Sequence, residues 1–214
     1  MIRNLKVLGL ALAAVFALSA AIAASASAET PGVLTVEGAT SATLNGVESG
    51  SGENFFETAG TKVECAGSTF TGTKVGSTTE PVPAGASEVT ITPHYTSPCV
   101  GAAGVDMEGC DYKLSDATTT GGVAGTYGVT VNIICPGTKK IKVTSSPCAF
   151  LIGSQTVTGF HLTNESSEKI RLSGTATGIS GTACGFPISA EQHQNVLISG
   201  TSGVNPVGVT LSHN

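Results

Sequence analysis

The feature that most limits what this chain can fold into is a period of two. After Tyr127, the residues Val129, Val131, Ile133 and Cys135 share one parity while Thr130 and Asn132 share the other. That alternation belongs to a strand with one buried face. Beyond Pro136-Gly137 it resumes, with Ile141 and Val143 set against Lys140 and Lys142. Proline fixes φ near the value of the second residue of a type II turn, and glycine takes the positive φ of the third. The stretch from Tyr127 to Cys148 therefore predicts a hairpin, two strands around one sharp turn. Cys135 and Cys148 fall where a disulfide would staple it, closing a loop worth about 3 kcal/mol.

The same pattern predicts further strands over residues 33–37, 42–47, 54–58, 61–70, 88–96, 149–152, 155–163, 169–177, 195–199 and 207–211. In 61–70, Val63 and Cys65 share a face opposite Lys62 and Glu64, which turns Cys65 inward. In 88–96, Val89, Ile91, Pro93 and Tyr95 share the inward parity, so Tyr95 reads as core. Pro93 has no N–H to give to a ladder and marks an edge or a bulge. Beyond residue 28 no segment carries a helical period. A composition rich in Thr, Ser, Gly and Val, without Trp, disfavours helices and suits short strands joined by tight turns. The expected fold is all-β: an antiparallel β-sandwich or barrel-like fold stapled by disulfides.

Residues 1–28 read as a secretory signal peptide. Arg3 and Lys6 give a basic start, an apolar Ala-rich run follows, and Ala26-Ser27-Ala28 forms a small-x-small cleavage site. A retained membrane anchor is the rival reading, disfavoured by that well-formed site. Residues 29–214 are then one all-β domain, secreted to the extracellular space or the cell envelope and free of the membrane after cleavage. The Ala-rich leader points to a bacterial source. Losing Arg3 and Lys6 takes the net charge from −5 to −7, which opposes nucleic-acid binding.

The six cysteines, Cys65, Cys99, Cys110, Cys135, Cys148 and Cys184, all lie beyond the leader. An even number in an exported chain reads as disulfides, although the sequence leaves the pairing open. Short spacings favour Cys135 with Cys148 and Cys99 with Cys110, leaving Cys65 for Cys184. A metal site is disfavoured because no C-x-x-C pair exists. Ser97-Pro98-Cys99 after an alternating strand is echoed by Ser146-Pro147-Cys148. The echo suggests two similar halves meeting near 116–122, but three cysteines on each side require one bridge across, which favours a single domain.

Asp106, Glu108, Asp111 and Asp116 form the densest acidic group. Asp106 and Glu108 on one face of a strand could serve as a carboxylate pair, but surface carboxylates are the default, and a calcium loop needs more oxygen ligands at tighter spacing. His94, His161, His193 and His213 match no metal-binding spacing. Glu191 and His193 are expected in a loop, within the polar run Glu191-Gln192-His193-Gln194-Asn195. No G-x-S-x-G elbow gives a Ser nucleophile an address. Sugar binding has few aromatic platforms to use, only Tyr95, Tyr112 and Tyr127 besides phenylalanine. Asn164-Glu165-Ser166 matches a glycosylation acceptor, a chance match in a bacterial protein. The reading assigns no catalytic, cofactor-binding or metal residue and no cofactor.

Taken together, the motifs from Val63 to Phe70, Val89 to Tyr95, Met107 to Tyr112 and Cys135 to Cys148, with Cys184-Gly185, cover most of the chain after the leader. In these the chain resembles exported, uncharacterised, cysteine-bearing all-β proteins of actinobacteria. The resemblance implies an extracellular β protein and transfers no catalytic residue. The expected role is non-enzymatic, structural or adhesive, with a cell-envelope or extracellular polymer as partner. The alternative is a secreted hydrolase using Asp106, Glu108 and Asp111.

Overall fold

The computed structural model describes residues 32–37, 39, 41–50, 53–58, 60–75, 89–119, 125–166 and 168–213. The predicted leader, residues 1–28, lies outside the described residues. The chain is built from strands. The first seven are β1 (Gly32–Val36), β2 (Ser41–Glu48), β3 (Phe55–Thr58), β4 (Thr61–Val75), β5 (Val89–Val100), β6 (Gly104–Asp106) and β7 (Asp111–Thr119). Then come β8 (Thr126–Ile134), β9 (Ile141–Thr144), β10 (Phe150–Ile152), β11 (Gln155–Glu165), β12 (Lys169–Ala183), β13 (Phe186–Ser202), β14 (Asn205–Val207) and β15 (Val209–His213).

Eight of these close a ring. Antiparallel ladders link β2, β4, β5, β7, β8, β11, β12 and β13 in chain order, and β13 pairs back onto β2. The architecture is an up-and-down antiparallel barrel, the second of the two forms that the alternation allows. Closure gives every strand of the main wall a neighbour on both sides over at least part of its length. Inward residues fill the interior as the parity predicts: Val89, Ile91, Val129, Val131, Ile133, Val157, Leu162, Leu172, Val196 and Ile198 are all buried. β2 and β3 act as one interrupted strand, because both lie between β13 and β4. The Gly/Ser-rich break after Glu48 is the interruption. Asn54 bridges it, its side-chain amide bonding both the N–H (2.9 Å) and the C=O (3.2 Å) of Asn195.

Around β12 the wall divides. β11 pairs with residues 169–174 of β12, and β10 takes the same edge at residues 181–183. From β10 a second flap runs through β9 to β6. Its Ile141, Val143, Phe150 and Ile152 are buried in one continuous core with the ring.

This division overturns the predicted hairpin. β8 and β9 form where expected but do not pair: β8 has both edges occupied, by β7 and β11, and β9 lies between β10 and β6. The turn also starts one residue late, with Lys139 N–H bonding Pro136 C=O at 3.0 Å and Gly137 (φ 55°) as its first central residue.

The disulfide partners change with it. All six cysteines are bridged, as Cys65–Cys99, Cys110–Cys135 and Cys148–Cys184, and none of the three pairings expected from spacing forms. Spatial neighbours in the ladder decide the pairing. Cys65 and Cys99 are directly opposite in β4 and β5, and Cys110 and Cys135 flank the Asp111/Ile134 pair of β7 and β8. Cys184 forms a two-residue turn with Gly185, both at positive φ, next to the β10 partner of Ala183. Cys110–Cys135 is the bridge across the chain's midpoint that the count of three on each side requires. β7 runs through Asp116 to Thr119, so the ring continues where two halves would have met. The Ser-Pro-Cys echo extends to the backbone, since Ser97–Pro98 and Ser146–Pro147 are both cis.

The three disulfides sit at one end of the barrel. At the other, β1 and β15 form a two-stranded ribbon. The ribbon touches β7 on one side of the ring and β11, β12 and β13 on the other, so it lies across the mouth. Leu34, Val36, Val209 and Leu211 are buried beneath it. Asn164 latches it, bonding both the N–H (2.7 Å) and the C=O (2.6 Å) of Leu211.

Candidate functional site

The division of the wall leaves a slot. β5 pairs with β7 only over Val89–Ile91, and from Thr92 onward it carries a single ladder, to β4. Pro93 occupies that freed edge, where its missing N–H leaves nothing unpaired. Facing it are β6 and the turn into β7. Together they border a cavity of about 410 Å3 lined by Thr92, Pro93, His94, Tyr95, Val105, Asp106, Met107, Glu108 and Gly109.

The acidic group is only partly gathered here: Asp106 and Glu108 line the slot, and Asp111 does not. β6 ends at Asp106, and Glu108 (φ 48°) and Gly109 (φ 82°) are the central residues of a turn closed by Cys110 N–H to Met107 C=O at 2.8 Å. Positive φ at both central positions makes it type I′. Asp106 and Glu108 are therefore not two residues of one strand face. Asp106 Oδ1 accepts the Glu108 N–H at 2.9 Å, and the Glu108 carboxylate pairs with Lys139 at 3.3 Å. Asp111 accepts a hydrogen bond from the Thr92 hydroxyl on the neighbouring strand. The side chain of Asp116 is outside the described residues. Among the described residues, no group of three or more His, Cys, Asp or Glu side chains is placed to hold a metal ion.

A second polar row runs along the outer wall. The run from Glu191 to Asn195 is not a loop; it lies within β13. Glu191, His193 and Asn195 face outward. His193 stacks on Phe55 with centroids 4.0 Å apart, its Nδ1 lies 3.0 Å from Thr175 Oγ1, and its Nε2 lies 3.8 Å from Glu191 Oε2. Lys62 Nζ sits 4.1 Å from the Phe55 ring and pairs with Glu64 at 2.8 Å. Hydroxyl, imidazole and carboxylate thus stand in a row. β13 is laddered on both edges here, to β12 and β3. Its backbone N–H groups are thereby engaged and cannot form the oxyanion hole that acyl transfer needs. Further along the wall Arg171 bonds Ser49 Oγ (2.8 Å), Asn195 Oδ1 (2.7 Å) and Glu165 Oε1 (2.6 Å). The row fastens strands to one another.

The other parity of the same run faces the barrel interior. Gln192 and Gln194 are buried there, and Gln192 Nε2 donates to Tyr112 OH at 2.9 Å and to Tyr95 OH at 3.2 Å. Burial raises the pKa of both tyrosines, Tyr95 well above the usual value and Tyr112 to about 12. Tyr95 also borders the slot and is only half-buried, so it is both a core residue and part of the surface. No protein family, curated protein or solved structure matches this chain. Function therefore has to be argued from these sites.

Gln192 and Gln194 do not announce themselves as interior residues, because a polar run resembles a loop. Parity was the available signal: Ala190, Gln192, Gln194, Val196 and Ile198 continue one inward face.

Proposed function

We propose that this chain is a non-enzymatic protein of the extracellular space or cell envelope, acting in structure or adhesion. The observation that carries this reading is a closed barrel with three disulfides at one end and a latched ribbon at the other. Disulfides persist in oxidising compartments, where a protein must hold its shape without reducing systems around it. Consistent with that role, His94, Asp111, Glu165 and His193 each make a cross-strand side-chain contact. The test is co-sedimentation of the oxidised protein with isolated cell envelope, peptidoglycan and extracellular polysaccharide. Retention in one of these pellets supports the reading, and recovery in the supernatant throughout counts against it.

One observation favours a second reading, a secreted hydrolase: Asp106 and Glu108 both border the slot. Turnover of chromogenic glycosides or esters that is lost on replacing Asp106 and Glu108 by Ala would establish it. Turnover that survives the replacement would remove these residues from the chemistry.

A further inference from the structure

The interior amides of β13 carry hydrogen-bonding capacity that the protein itself does not use. Gln192 and Gln194 are 1% and 4% exposed. The two bonds from Gln192 Nε2 to the tyrosines use both of its N–H groups, yet its Oε1 has no partner within the protein. Gln194 lies close enough to the Tyr95 hydroxyl to act on it, but neither its Oε1 nor its Nε2 meets hydrogen-bonding geometry with any group of the protein. A buried polar group without a hydrogen bond keeps its full desolvation cost, and native cores hold few of them. Here they fall on two successive inward positions of one strand.

We propose that Gln192, Gln194, Tyr95 and Tyr112 form a seat inside the barrel for a neutral hydroxyl group, of water or of an alcohol or sugar, reached from the slot past Tyr95. The orphan atoms select the guest. Two carbonyl oxygens require a donor and one amino group requires an acceptor, and a hydroxyl is the smallest group that is both. A halide could only accept. A metal cation would meet the amino group of Gln194 and find no carboxylate among the four side chains. Neutrality follows from the same surroundings, because a buried charge without a countercharge is far costlier than a buried dipole. The route follows from Tyr95, the only half-buried member of the four, whose hydroxyl meets Gln192 and whose residue borders the 410 Å3 slot.

Magnetic relaxation dispersion of water 17O on the oxidised protein tests this, because it detects internal water held far longer than surface water. Gln194→Leu keeps roughly the shape of the amide and removes its hydrogen bonds. The expected result is a long-lived contribution in the wild type that is lost in Q194L. Added glycerol separates the two sources of hydroxyl: it lowers the wild-type signal if the seat takes alcohols and leaves it unchanged if the seat takes water alone. Equal dispersion in the two proteins, with a higher melting temperature for Q194L, overturns the proposal, since that is how amides buried without a guest behave. Should Q194L fail to fold, a high-resolution crystal structure of the wild type decides. Oxygen density within hydrogen-bonding distance of both Gln194 amide atoms supports the seat, and its absence overturns it.

Discussion

Gly72 shows how closely single residues are held in this wall. A Cβ there would stand 2.3 Å from the carbonyl oxygen of Thr90 on the paired strand, and backbone cannot yield as a side-chain tip can. Gly72→Ala should cost about 1–3 kcal/mol, read from the urea midpoint. Gly153→Ala, where the new methyl meets nothing within 4 Å, should change stability by less than about 1 kcal/mol. Tyr112 gives a pH dependence. Its folded pKa of about 12 lies above the ordinary value of 10, so between those values the unfolded chain gives up a proton that the folded one keeps. Stability is therefore full below pH 10 and falls as pH rises toward 12, by about 2 to 3 kcal/mol from this group. Tyr112→Phe should flatten that decline in alkaline denaturation curves. Individual apolar residues were legible in the sequence: Val129, Val131, Ile133, Ile141 and Val143 are buried as their parity requires. Gln192 and Gln194 were not, because polarity argues for the surface and only the neighbouring parity argues against it.

Among elements, side-chain amides repeatedly stand in for a missing strand partner. Asn54 does so for Asn195, Asn164 for Leu211, and Gln155 for Ser180, each bonding both the N–H and the C=O of one residue. In each case an isolated amide continues the pairing pattern where no backbone is available. Asn164→Ala removes two such bonds and should cost about 1–3 kcal/mol. The effect should be local. Hydrogen exchange at the amides of Val209 to Leu211 should accelerate, while the β4–β5 ladder keeps its protection. The existence of strands was legible from alternation, but their partners were not. β8 and β9 carry equally good patterns, and only the occupied edges of β8 send β9 to another flap. The cysteine pairing failed for the same reason, since loop length measures distance along the chain and a ladder measures distance across it.

The whole molecule is polarised, with its disulfides at one end and the ribbon at the other. The bridges span 34, 25 and 36 residues, for which loop closure gives about 3–4 kcal/mol each. Cys110→Ser with Cys135→Ser should lower stability by about that amount, measured by denaturant titration under oxidising conditions. Peptide mapping of the unreduced wild type should recover the three neighbour-strand pairs. The ribbon has a further consequence, in time rather than in space. A chain is made from its N-terminus, so β1 emerges early and must wait for β15, its partner from the far end of the described chain. Every strand of the ring can be in place, and every disulfide formed, while the opposite mouth still stands open. The barrel is thus sealed by its last strand, and whatever the interior holds must be inside before that strand arrives or must find its way in at the slot.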